Sequence, residues 1–299
     1  MARPCFGIAT INATVTNTVT AVRLCNHMAE PLRLLPCFHQ PGDWQMALDA
    51  LLLSQRRPAL RLYRWGGRPT LSLGLHQRPI ESHWLALAQA GRLDLVRRPS
   101  GGRAVLHGGD LSYALVWPDA PSCRRQAYLE ACAWLQLAFG RMGLPLQFGH
   151  QPARRQQPSC FATSTAADLV HLPTTAAQVA LKGLAINSAG INDLGVNDAA
   201  IDGLGVKRIG SAQHWRSGCL LQHGTILLAP PAALWQELFG GPAPALPPLP
   251  LASEELESLL LECAAASFPL APVSELTVQE LAAIEAARPS YRVDLQAAG

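Results

Sequence analysis

Charge is scarce in this chain: 15% of its 299 residues are Asp, Glu, Lys or Arg. The 24 basic and 21 acidic side chains leave a net charge of +3 with no basic block, so no nucleic-acid partner is implied. Long apolar runs are also missing. The most hydrophobic stretches are cut by Gln222, His223, Pro230 and Pro231, short of the roughly 20 residues that a spanning helix needs, and no membrane role is expected. The eight cysteines form no Cys-x-x-Cys pair, keep no regular spacing and follow no secretory leader. A disulfide framework and a cysteine-rich zinc site are therefore both unexpected, and reduced thiols in a cytoplasm fit better. The phosphate-cradling G-x-x-x-x-G-K-[ST], the dinucleotide G-x-G-x-x-G, H-E-x-x-H and G-x-S-x-G are all lacking, which removes support for most common enzyme classes. What the chain does have is apolar material. At 49% hydrophobic it can build one large core or two modest ones, and disorder of the whole chain is excluded.

Residues 1–31 stand apart: rich in Thr, Ala and Asn, with no acidic residue before Glu30 and no periodic apolar face. They read as an extension, disordered or arising from an over-long start ahead of Met28, since a transit peptide would carry more Arg and Ser. Regular structure is expected from Arg33, with a helix carrying Met46, Ala47, Ala50, Leu51 and Leu53 after Pro41-Gly-Asp43. Strands are expected at 59–65, 70–74, 93–97, 103–107 and 111–117, and helices at about 79–91 and 122–142. Beyond Gly149 the pattern weakens until a strand pair at 206–212 and 219–228. The intervening 171–202 is small, polar and glycine-bearing, with loosely repeated phrases at 191–195 and 201–205, and reads as an inserted surface loop. It fails the calcium-loop template, because Asp198 stands where glycine is required. Pro242–Pro250 reads as a linker to two short amphipathic helices near 253–266 and 277–287. Strands do not alternate with helices, so the class is α+β, with domain limits at 32–239 and a helical tail at 240–299.

Two stretches carry chemistry. In Arg97-Arg98-Pro-Ser100-Gly101-Gly102-Arg103-Ala104-Val-Leu-His107, adjacent glycines let backbone amides approach a carbonyl or phosphate, with Arg98 and Arg103 supplying charge. Read alone, Ser-Gly-Gly is equally an ordinary hairpin turn. The second stretch is Lys207-Arg-Ile-Gly210-Ser211-Ala212-Gln213 with Leu221-Gln-His223-Gly224-Thr-Ile-Leu-Leu228. On spacing alone Lys207 reads as a solvated lysine and His223 as a core or turn histidine with its nitrogens hydrogen-bonded.

Taken in order, these stretches resemble the three signatures of the biotin/lipoate protein ligase and octanoyltransferase superfamily. Tyr63, Trp65, Ser72-Leu-Gly74 and Gln77 are similar to its opening strands. The resemblance covers about 32–239, and Leu276-Thr277 with Glu280 look like the tail of the octanoyltransferase branch. It implies a mixed, largely antiparallel sheet flanked by helices, and attachment of an octanoyl or lipoyl group to a lysine of a lipoyl domain. The acceptor would be a glycine cleavage H protein or a 2-oxoacid dehydrogenase E2. Pro158-Ser-Cys160-Phe161 is similar to the phrase that carries the nucleophile of cysteine-dependent octanoyltransferases, whereas a lone cysteine would otherwise read as a small buried hydrophobe.

On this resemblance Cys160 forms a thioester with the acyl group of octanoyl-acyl carrier protein, and Lys207 activates the thiol and steadies the acyl oxygen, with no cofactor. The remaining signature residues would bind substrate: Arg98, Ser100, Gly101, Gly102, Arg103, Ala104, His107, Gly210, Ser211, Ala212, Gln213, His223 and Gly224. The competing reading is a lipoate-protein ligase, which needs ATP and magnesium. A third is a non-catalytic lipoyl-domain binder, against which the presence of both Cys160 and Lys207 argues. The 47-position separation of Cys160 and Lys207 departs from the family pattern because of the polar insertion.

Overall fold

The computed structural model describes residues 28, 30–149, 168–171 and 205–296. The extension at 1–27, the Cys160 phrase and nearly all of the 171–202 insertion lie outside these residues. No described helix is long and apolar enough to cross a membrane.

Twelve strands form two sheets among the described residues. The larger runs β12 (Leu270–Val273), β1 (Leu32–Leu34), β3 (Ala59–Trp65), β7 (Asp110–Trp117), β11 (Cys219–Leu227), β10 (Val206–Arg216), β9 (Asp168–His171) and β8 (Leu146–Phe148), with β2 (Phe38–Gln40) also beside β3. The smaller is β5 (Asp94–Arg97), β4 (Thr70–Leu73) and β6 (Val105–His107). Parallel ladders join β1 to β3 and β12, β2 to β3, and β4 to β5, while the rest are antiparallel, so the sheet is mixed and largely antiparallel as expected. The regular structure expected from Arg33 opens with two short strands, β1 and β2. The turn at Gly66-Gly67 does not close a hairpin, because β3 and β4 belong to different sheets.

Helices cover both faces of the larger sheet. Period-two alternation sends Leu60, Leu62, Leu111, Leu115, Trp117 and Leu220 to one side, where α3 (Arg124–Arg141) and α5 (Ser253–Ser267) pack through Trp134, Phe139, Leu256 and Leu260. The other side, with Ala59, Ala114, Val116 and Leu221, meets α1 (Gly42–Gln55) and the neighbouring α6 (Val278–Ala287) through Leu48, Leu52 and Ile284. The smaller sheet packs on α2 (Ser82–Gln89) and α4 (Ala232–Phe239) through Trp84, Trp235 and Leu238.

On the α1 side the alternation changes character along the strands. At one end the inward residues are Val116, Ala114 and Leu221; towards the smaller sheet they are Ser112, Asp110, His223 and Thr225, all still buried. Each of these four is paired, as buried polar groups generally must be. This switch marks the place where the site is built.

Candidate active site

Three signature stretches converge on one cavity of about 460 Å³, part of it open to solvent. Gly101, Gly102 and Arg98 come from the Ser-Gly-Gly loop and His107 from β6; Gly210, Ser211 and Ala212 come from β10, and His223 with Gly224 from β11. Met46 of α1 with Tyr63 and Trp65 of β3 completes the apolar wall, and Trp65 lies flat on the His107 ring at 3.7 Å between centroids. Glycine is needed at two of these contacts. A Cβ on Gly224 would lie 2.6 Å from Tyr113 Cε1 and 2.8 Å from the Gly210 carbonyl oxygen, and one on Gly74 would lie 2.0 Å from the Gly102 carbonyl oxygen.

Two serine–histidine–aspartate chains flank the cavity. Ser72 Oγ is 2.8 Å from His107 Nε2, and His107 Nδ1 is 2.9 Å from Asp110 Oδ2. Burial, partly offset by the Asp110 carboxylate, holds the His107 pKa below the usual histidine value. In the neutral ring Nδ1–H donates to Asp110, so Nε2 accepts from the Ser72 hydroxyl. The second chain runs from Ser100 Oγ to His223 Nε2 at 2.5 Å, and from His223 Nδ1 to Asp49 Oδ2 at 2.7 Å. Asp49 is fully buried in α1, beside Arg61 Nη2 at 2.5 Å. Its pKa is lowered even so: burial pushes it up, but the Arg61 charge and the His223 bond outweigh that.

Lys207 is buried rather than solvated. Its Nζ lies 2.8 Å from Asp168 Oδ1, an ion pair across β9 and β10 at the point where the ladder register shifts between Lys207 and Ile209. Lys207 stands at the β10 end just before the segment that lines the cavity. Cys160 lies outside the described residues.

Other expected residues take supporting places. Ser100 sits behind His223 rather than on the cavity wall, and Ala104 belongs to the core of the smaller sheet. Gln213 bonds to Gln222 and Trp215. Arg103 gives its carbonyl to Arg98 and buries Nη1 without a hydrogen-bond partner among the described residues. Arg98 aims at the protein itself: Nε donates to Gly101 O, Nη1 to Ser72 O and Oγ, and Nη2 to Gly101 O and Arg103 O, which clamps the Ser-Gly-Gly loop.

Asp49, Asp110 and Asp168 were not singled out from sequence. A lone carboxylate in the apolar run Met46-Ala-Leu-Asp-Ala-Leu-Leu-Leu53, opposite a lone arginine in Ala59-Leu-Arg-Leu, was the available signal. Among the described residues no group of three His, Cys, Asp or Glu side chains is placed to hold a metal ion.

The lipoyl protein ligase A/B catalytic domain family matches residues 41–240, which include every element lining the cavity. The chain belongs to this family. Among curated relatives, octanoyltransferase LipM of Symbiobacterium thermophilum is 32% identical over 210 residues, 66% of this chain and 65% of that protein. The LipM of Oceanobacillus iheyensis is 30% identical over 226 residues, 72% and 71% of the two chains. The fold matches that of a T. acidophilum protein solved with lipoic acid, at TM-score 0.63 and 16% identity over 87% of this chain and 96% of the other. Lipoate-protein ligase A solved with ATP matches at 0.60 and 16%, over 87% and 95%. The sheet, its flanking helices and the converging signatures are thus those of the lipoyl ligase and octanoyltransferase fold.

Proposed function

We propose that this chain transfers an octanoyl group from octanoyl-acyl carrier protein to the lysine of a lipoyl domain, through a thioester on Cys160 and without ATP. Its likeness to two octanoyltransferases over about two thirds of its length carries the reading. The cavity supports it: an eight-carbon chain needs an apolar slot that ends beside the reacting groups. Met46, Tyr63, Trp65 and Val105 give the slot, and Lys207 stands along the same strand as its wall.

The chemistry follows from the residues. The Cys160 thiolate attacks the donor thioester and the carrier's thiol leaves, one thioester exchanged for another with little change in bond energy, so no nucleotide is needed and activation of the thiol is the main requirement. The Lys207 ammonium favours the thiolate and donates to the acyl oxygen as charge develops there. Asp168 fixes where that ammonium points. The acceptor lysine then attacks the acyl-enzyme, an amide forms and the Cys160 thiol is released. The acceptor is a lipoyl domain of a glycine cleavage H protein or a 2-oxoacid dehydrogenase E2.

The test offers the two donors separately, octanoyl-acyl carrier protein alone or free lipoate with ATP and magnesium, and weighs both enzyme and acceptor. The expected result is one octanoyl group on the enzyme and then on the acceptor in the first mixture, both lost in Cys160→Ala. Modification only in the second mixture would make the chain a lipoate ligase, the reading favoured by the ATP-bound fold neighbour. Modification in neither would leave a lipoyl-domain binder.

A further inference from the structure

Among the described residues, the histidine, arginine and indole nitrogens on the cavity wall are already paired. All five N–H groups of Arg98 go to Ser72, Gly101 and Arg103. The His107 nitrogens are taken by Ser72 and Asp110, and those of His223 by Ser100 and Asp49. The Ser211 hydroxyl pairs with Tyr113 OH at 2.8 Å, and Trp65 Nε1 donates to Ser112 at 2.9 Å. Among the described residues, a wall rich in histidine and arginine therefore offers a bound chain no free ring nitrogen or guanidinium N–H.

We infer that this internal pairing makes the cavity a filter for unsubstituted acyl chains, with Ser72, itself on the cavity wall, as its specificity-determining residue: it occupies the His107 nitrogen that would otherwise accept a hydrogen bond from a substituted chain. The inference rests on the octanoyl reading above and adds what that reading does not require. Carrier-bound acyl chains also occur with hydroxyl or oxo groups, which are close in size to the saturated chain. Size alone separates such isosteres poorly. A buried hydroxyl that finds no partner is rejected by desolvation instead.

Binding separates this from turnover. The full-length Cys160→Ala protein is titrated calorimetrically with S-octanoyl-pantetheine and with its 8-hydroxyoctanoyl and 3-hydroxyoctanoyl counterparts. The saturated probe is expected to bind about 10- to 100-fold more tightly than the 8-hydroxy probe, the range an unpaired buried hydroxyl produces. Adding Ser72→Ala, which frees His107 Nε2 on the cavity wall, should reduce that ratio at least threefold. A ratio near one in the Cys160→Ala protein overturns the filter, as does an undiminished ratio in the Ser72→Ala variant. Failure of the octanoyl probe to bind overturns the filter together with the acyl cavity. Loss of transfer in the donor assay with binding discrimination intact overturns only the transferase reading.

Discussion

Asp49 is the carboxylate on which one wall of the site depends, and Asp49→Asn tests that with little change of shape. The side chain is fully buried and accepts from Arg61 Nε at 3.0 Å, from Arg61 Nη2 at 2.5 Å and from His223 at 2.7 Å. The substitution leaves the Arg61 guanidinium fully buried without its counter-charge, with an amide oxygen in place of the carboxylate beside Gln45 Oε1 and the Gln45 carbonyl. Removing one partner of a buried ion pair costs about 3–5 kcal/mol. In a folded body of this size each kcal/mol shifts the melting temperature by about 2–4 °C, so a fall of roughly 6–20 °C is expected in calorimetry. Replacing the pair together, Asp49→Leu with Arg61→Met, should recover at least half of the loss, because no uncompensated charge remains. The pH dependence has a definite sign. Since the folded-state pKa of Asp49 lies below the ordinary 3.8, its contribution is complete above that value and is lost as pH falls towards the lower one. The variant's stability should therefore depend less on pH in that acid range than the parent's. A melting shift under 2 °C, or a double variant no better than the single one, would refute the reasoning.

Three further outcomes follow from the same geometry. Asp168→Asn should lower the transfer kcat by about 100-fold, the scale of a misplaced catalytic group, while KM for the acyl donor moves less than about threefold; an unchanged kcat would remove Asp168 from the positioning of Lys207. Gly224→Ala pushes a methyl group against Tyr113 and the Gly210 backbone and should cost about 1–3 kcal/mol in urea denaturation, with a raised KM for octanoyl donors; a cost under about 0.5 kcal/mol would show that β10 and Tyr113 yield. Glu280, held to a pKa of about 2 chiefly by its bond to Arg33, ties α6 to β1 and to Gln55. Glu280→Gln should lose about 1–3 kcal/mol at pH 7. That difference should shrink as pH falls from 4.5 towards 2, and a pH-independent difference would mean that its ionisation contributes nothing.

The elements most legible in sequence were those whose pattern is purely local. Ala59–Trp65 and Asp110–Trp117 announce themselves by apolar, β-rich composition, and the helix at Arg124–Arg141 by its period. The short β8 and β9 did not, because three or four residues such as Leu146-Gln-Phe148 carry no period that distinguishes them from a loop. Strand β12 was equally hidden. Leu270-Ala-Pro-Val273 contains a proline, which reads as a break, yet at the sheet edge only the β1 side must supply ladder bonds. Nine of the thirteen signature residues expected to bind substrate line one cavity, but their division of labour was not legible. Spacing shows that Arg98 and His107 are near one another; it does not show that Arg98 spends its donors on the loop it belongs to.

The same limit explains why the three aspartates escaped notice. Asp49 is contributed by α1, Asp110 by the start of β7 and Asp168 by a four-residue strand, each separated in sequence from the partner it serves or lying beyond a glycine turn. A carboxylate among apolar residues violates the local pattern, and a chain keeps such a violation only where tertiary pairing compensates it. Each violation therefore points beyond itself. Arg61 in β3 requires a buried anion on the α1 face, Asp49 then has an oxygen left for a second donor, and His223 lies across two strands to take it. With Nδ1 committed to Asp49, the His223 ring has only Nε2 left, and Ser100 takes that position. The pairing that makes these polar groups tolerable in the interior is the same pairing that, among the described residues, leaves the cavity's histidines without a free ring nitrogen.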